Sequence, residues 1–231
     1  MTVLEAVIEE ALGTGPVASL LRRLKVLASR TGARDTLLTW VNRELDGYTS
    51  RADLPAYRGP FEIAPVGTFV SQTNMQDNIR VPKFGLPEDL HTGAELFDAS
   101  LMEPVAALES RAAEPNGMSL TWPAEAVTIL NHRIKANKTL IHPVFSCIGV
   151  SAVIPRARYA GALDGIRNAA LDLALELEAS APQAGEPGAG ESVNTEARDR
   201  IQIWYVNLVA NGSNVALGTT DGSVTQGFSV P

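Results

Sequence analysis

From about Arg158 to Ala179 the chain carries its longest apolar stripe. Tyr159, Leu163, Ile166, Ala170, Leu173, Ala174 and Leu177 recur every three or four residues, the spacing that places side chains on one face of a helix. Leu171 and Leu175 flank the stripe and widen it, so the pattern predicts a helix buried over much of its circumference. Such a helix needs partners on several sides, and it commits the chain to a mainly helical core.

The partners are readable upstream. Val3, Leu4, Val7, Ile8, Ala11 and Leu12 predict a first helix, with Glu5, Glu9 and Glu10 on its other side. After Gly13, Gly15 and Pro16 a second helix carries Val17, Leu20, Leu21, Leu24, Leu27 and Ala28 on one face and stops at Gly32. A third has Leu37, Leu38, Val41 and Leu45 inward and ends before Gly47. From Leu54 to Pro87 prolines and glycines punctuate short segments such as FEIAPVGTFV and NIRVP, which predicts edge strands and loops. A helix over about Gly93 to Ala113, using Leu96, Phe97, Leu101, Val105 and Leu108, is expected to kink or break at Pro104. MSLTWP reads as a short strand, Ala124 to Ile134 as a helix, and VFSCIGVSAVI, β-branched and bounded by Pro143 and Pro155, as a strand. The fold class expected is mainly α with minor β (α+β), with residues 1–179 as one helical domain.

Two further regions follow. Residues 180–198 include APQAGEPGAGESVN, rich in Pro, Gly, Ala and Ser, and read as a flexible linker. Residues 199–231 read as a small β meander, because IQIWYVNLV and NVALG are rich in β-formers and NGSN and TTDGS are turn sequences. Beyond Ile201 the only charged residue is Asp221, so both faces of such a meander are apolar and its edges are unguarded. That predicts a homo-oligomer assembled through Ile201, Ile203, Trp204, Tyr205, Val206, Leu208, Val215 and Leu217.

Chemistry is harder to find. The net charge of -7 disfavours a nucleic-acid partner, whose phosphates are normally met by a basic excess. The basic cluster Arg22, Arg23, Lys25 and Arg30 has no interleaved aromatic and reads as a solvated helix face. A lone cysteine, Cys147, excludes an internal disulfide and fits a reducing, cytoplasmic setting. It sits in an apolar strand, where a thiol behaves as a small hydrophobe rather than a nucleophile with His132 or His142 as base. His91, His132 and His142 show no metal-ligand spacing. Gly13-Thr14-Gly15-Pro16 lacks the lysine of a phosphate loop, and the carboxylates of the long helix, Asp164, Asp172, Glu176 and Glu178, spread over a broad arc. No catalytic, cofactor or metal residue is therefore assigned. The most apolar run, Val144 to Ile154, is too short for a membrane span, which needs about 20 residues.

Four stretches in series carry a resemblance: LLRRLKVLASRTGARDTLLTWVNRELDGY, then DLPAYR, then LTWPAE, then GALDGIRNAALDLALELE. Together they resemble the AbiTii group of abortive-infection domains in bacterial anti-phage proteins. The resemblance implies a defence role in which infected cells stop growing before phage is released, and it carries over no catalytic set. Trp40, Asn42, Glu44, Leu45, Gly47 and Tyr48 stand closest to the family pattern. Packing explains Trp40 and Tyr48, and Gly47 ends a helix; Asn42 and Glu44 are not explained in that way. They mark a candidate binding surface with Arg167 and Asn168. The function expected is a defence component working through contacts with itself and with a phage or host protein. The alternative is a toxin-like hydrolase or nuclease whose active site is not recognisable in the sequence.

Overall fold

A computed structural model describes residues 2–87 and 96–210. These divide into two compact units, one comprising the chain up to Arg58 and from Asp164 onward, the other Gly59–Leu163. The single helical domain expected over 1–179 is thus two units.

The first unit is helical. Helix α1, Val3–Leu12, opens on a reciprocal cap: Thr2 Oγ1 accepts the Glu5 N–H at 3.1 Å, and the Glu5 carboxylate accepts the Thr2 N–H at 2.7 Å. Helix α2, Val17–Thr31, ends at Gly32, whose φ of 78° is the left-handed conformation that glycine adopts without strain. Every apolar residue read onto the α2 face is buried. A π-helical turn, Arg34–Leu38, leads into α3, Thr39–Asp46, which buries Trp40 and Val41. Single 3-10 turns follow at Arg51–Asp53 and Ala56–Arg58.

The second unit is built on an antiparallel sheet. Strands β1, Phe61–Glu62, and β4, Asp98–Ala99, form a two-stranded ladder. Strands β2, Val66–Val70, β3, Met75–Arg80, β5, Met118–Thr121, and β6, Ser146–Ile154, form a four-stranded sheet in the order β3-β2-β6-β5. Phe69 and Cys147 lie opposite each other across β2 and β6 and face a core shared with Leu130 and Ile134. Those two residues belong to α5, Ala124–Lys135, and α4 is Val105–Ala113. The expected helix from Gly93 begins only after Pro104, its N-cap. Proline lacks the N–H that a preceding turn would need, and Asp98–Ala99 pairs with β1 instead.

Helix α6 runs over Arg156–Ser180, and the boundary between units falls within it. Tyr159, Ile166, Ala170, Leu173, Ala174 and Leu177 are fully buried, as the stripe predicts. Leu163 is half-buried, and Leu175 is 47% exposed, so the stripe does not widen as far as Leu175.

The C-terminal expectations change most. Residues 191–210 are helix α7, Glu191–Ala210, so the strand read over IQIWYVNLV is overturned. Ala197 and Ile201 are fully buried one helical turn apart, and Trp204 and Leu208 continue that spacing; tertiary burial overrides the β propensity of Ile, Val and Tyr. Nor are residues 180–198 a free linker, since α7 takes up their second half. In the first half Ala181 and Ala184 are buried, Gly185 O accepts from Arg30 at 2.9 Å and Glu186 accepts the Val3 N–H at 2.6 Å. Val215 and Leu217 lie outside the described residues.

The burial contrast along α6 is directly testable. Leu173→Ala should lower stability by about 2–5 kcal/mol, read from the denaturant midpoint. Leu175→Ala on the exposed side should cost under about 1 kcal/mol.

Candidate functional site

The least expected feature of the first unit is a carboxylate with no access to solvent. Glu44 on α3 and Arg58 at the end of the second 3-10 turn are both 0% exposed. Arg58 donates to Glu44 Oε2 from Nε at 2.9 Å and from Nη2 at 2.6 Å. The other oxygen, Oε1, accepts from the Tyr48 and Tyr57 hydroxyls, each at 2.7 Å. Trp40 Nε1 then donates to the Tyr57 hydroxyl at 2.9 Å, and the Arg58 guanidinium stacks 5.0 Å from the Tyr48 ring centre. Every partner lies within nineteen positions of another in sequence, counting from Trp40 to Arg58.

The spacing explains the geometry. Trp40, Glu44 and Tyr48 are four apart and stack along one side of α3 and its exit. The chain then turns at Pro55, and Ala56–Arg58 aims Tyr57 and Arg58 back at the same carboxylate. Burial, with the Glu44 charge second, pushes both phenols far above the ordinary tyrosine range, so they remain donors.

Tyr57 also faces outward. Its ring lies against Gly165 on α6, where an added Cβ would sit 2.5 Å from the Tyr57 Cβ. Only a residue without a side chain allows α6 to pass this close. Above them is an open groove of about 340 Å³, with Tyr57 and Trp204 as aromatic floor and Asn168, Asp172 and Asn207 as polar rim. The Trp204 indole N–H donates to Ala169 O at 3.1 Å, and its ring meets Trp40 edge-on with centroids 5.2 Å apart.

Of the binding residues expected from sequence, Asn168 lines the groove and Glu44 lies beneath its floor. Arg167 instead fastens α6 to the last turn of α1 and the loop after it, donating to Glu10 O at 3.3 Å and to Gly15 O. Asn42 is half-buried on α3, its Oδ1 without a hydrogen-bond partner. Among residues assigned to oligomerisation, Trp204 and Leu208 line the groove, Ile201 is buried and Tyr205 is half-buried. Ile203 and Val206 stay exposed, at 57% and 41%. Sequence reasoning missed Tyr57, Arg58, Asp172 and Asn207. DLPAYR carried the first two as a motif, and nothing in it signalled that Arg58 is buried.

The other chemical candidates fall elsewhere. Cys147 is buried, its thiol pushed up by that burial and directed at Gly149 O at 3.5 Å. Asn131 pairs with the backbone of the same residue at 2.8 and 2.7 Å. His142 accepts the Val144 N–H, and His91 lies outside the described residues. Arg23 pairs with Glu10 at 2.6 Å, so part of the basic α2 face is internally compensated. Among the described residues no three His, Cys, Asp or Glu converge on a metal position, and no helix is long and apolar enough to cross a membrane.

Glu44→Gln should strand the Arg58 charge and cost about 3–5 kcal/mol of unfolding free energy. The phenols give a pH signature with a defined sign. Their folded-state affinity for the proton is raised, so their stabilisation is complete below about pH 10, where unfolded tyrosine ionises, and declines above it. Tyr48→Phe should therefore flatten the alkaline fall of the melting temperature while lowering its value at neutral pH.

Among curated proteins and among solved structures, none matches the chain. The AbiTii family model matches residues 2–203, which include α3, the Ala56–Arg58 turn, α6 and the first part of α7; Trp204, Asn207 and Leu208 of the groove lie just beyond the match. The chain belongs to the AbiTii family, and that membership implies a part in abortive-infection defence against phage.

Proposed function

We propose that this chain serves abortive-infection defence as a recognition and assembly protein, acting through contacts with protein partners and with copies of itself. The observation that carries this reading is the groove over Tyr57 and Trp204. Its two aromatic rings are fixed from behind, Tyr57 by Glu44 and Trp40, Trp204 by Ala169 O. Its rim offers one carboxylate and two carboxamides with no side-chain hydrogen bond or ion pair among the described residues. Fixed aromatic faces with unpartnered polar groups suit partner recognition, because little conformational entropy remains to be lost on binding. The hydroxyl closest to a reactive group, that of Tyr57, is held protonated by burial and by Glu44 and so is a poor base.

For self-association the reading uses the outward side of α7. Ile203 and Val206 are three residues apart and share a helix face, a narrower apolar surface than an open β meander would have offered. The inward side of α7 is already used within the unit, so removing residues 199–231 would strip Ile201 and Trp204 from it. Ile203→Ser with Val206→Ser leaves those residues in place and is the better test.

In cells challenged with phage, induced expression should halt growth before phage release, and the Ile203→Ser/Val206→Ser chain should give less protection. By light scattering the parent should exceed the 24.6 kDa of one chain and the double variant should approach it. A parent that is monomeric and still protects would remove self-assembly from the reading.

A further inference from the structure

We infer that the groove between α6 and α7 is a pocket for an arginine side chain presented by a partner protein. The inference rests on the recognition reading above and names what is recognised.

Among the described residues the rim has acceptors but no cation. Asp172 contributes a carboxylate, and Asn168 and Asn207 contribute carboxamide oxygens; none of the three is engaged by another described side chain. Among the described residues no Lys, Arg or His lines the groove, and Asp172 is the one charged residue of that lining. An anionic ligand would find nothing to compensate it, and phosphate-bearing partners are disfavoured on the same ground. A guanidinium is the converse case. It is planar, always cationic, and carries five N–H donors with no acceptor, which matches a rim of acceptors. The pairing of a carboxylate with a guanidinium can be bidentate, which a lysine ammonium cannot reproduce.

The floor supplies the second half of the match. Tyr57 and Trp204 present aromatic surface, and guanidinium groups stack on such faces more readily than ammonium groups do. Neither ring needs its polar atom for a ligand. The Tyr57 hydroxyl is engaged with Glu44 and Trp40, and the Trp204 N–H with Ala169 O. Asn168 and Asp172, four apart on α6, project from one helix face, while Trp204 and Asn207, three apart on α7, project from another. The overall charge of -7 attracts a basic partner over longer range and disfavours an acidic one.

The test uses the full chain and a capped pentapeptide, acetyl-Gly-Gly-Arg-Gly-Gly-amide, titrated into the millimolar range. The readout is nitrogen-15 NMR of the Asn168 and Asn207 carboxamides and the Trp204 indole. Saturable shifts at those three groups are expected. Matching peptides with lysine, or with citrulline as the uncharged isostere, should bind about tenfold more weakly or less, as should the arginine peptide to Asp172→Asn. Asp172 is exposed, so this variant is expected to keep its fold, and an unchanged melting temperature checks that. Equal binding of the lysine or citrulline peptide, an unaffected Asp172→Asn chain, or no saturable shift would overturn the inference. So would tighter binding of free arginine, or of guanosine, than of the peptide. If the arginine site fails while the parent protects cells and self-associates, only this inference falls. If protection and self-association are both lost, the wider reading falls with it.

Discussion

The first unit depends on a charge pair that water does not reach. Taking Glu44 and Arg58 out of solvent carries a desolvation cost of several kcal/mol per ion, and an imperfect pairing would not recover it. Here the carboxylate receives four donors, two from Arg58 and one from each of Tyr48 and Tyr57. Such a set fixes geometry more than it adds stability. It ties the exit of α3 to the Ala56–Arg58 turn and holds Tyr57 so that its ring becomes a wall against α6. The groove inherits its shape from that wall. Gly165 is the matching concession on α6, since any larger residue would push Tyr57 away from its hydroxyl partners.

Much of this was legible in sequence, though unevenly. Helical spacing located α1, α2 and α6 closely, because their apolar residues recur at intervals that only burial of one face explains. Glu44 stood out as a polar residue in a segment otherwise explained by packing. Its partner did not, because Arg58 sits in a short turn where an arginine normally reaches water, and no periodicity marks its burial. In sequence Asp172 is one of four carboxylates spread over a broad arc of the long helix, and nothing marks it out until the aromatic floor beside it is known. Such sites arise from residues far apart in the chain, and single-sequence patterns carry no information on that proximity.

The C-terminal region shows the opposite error. Ile, Trp, Tyr and Val in succession favour a strand when local propensity alone is weighed, yet the same residues satisfy a helical period through Ala197, Ile201, Trp204 and Leu208. The helix prevails because it buries Ile201 and seats Trp204 against Trp40. The change matters for function. A segment expected to serve only neighbouring chains instead contributes Trp204, Asn207 and Leu208 to the groove, and leaves Ile203 and Val206 outward. One helix thus supplies both a side of the groove and an outward apolar face.

Native-state hydrogen exchange addresses the central claim most directly, because it reads whether the buried pair locks the groove floor. The Arg58 amide donates to Pro55 O at 2.9 Å within the turn that carries Tyr57. If Glu44 and its donors hold that turn, the Arg58 amide and the Trp40 indole N–H should exchange only with global unfolding, at the same free energy as core amides of α6. Exchange of the turn by a low-energy local opening, while α6 stays protected, would contradict the account.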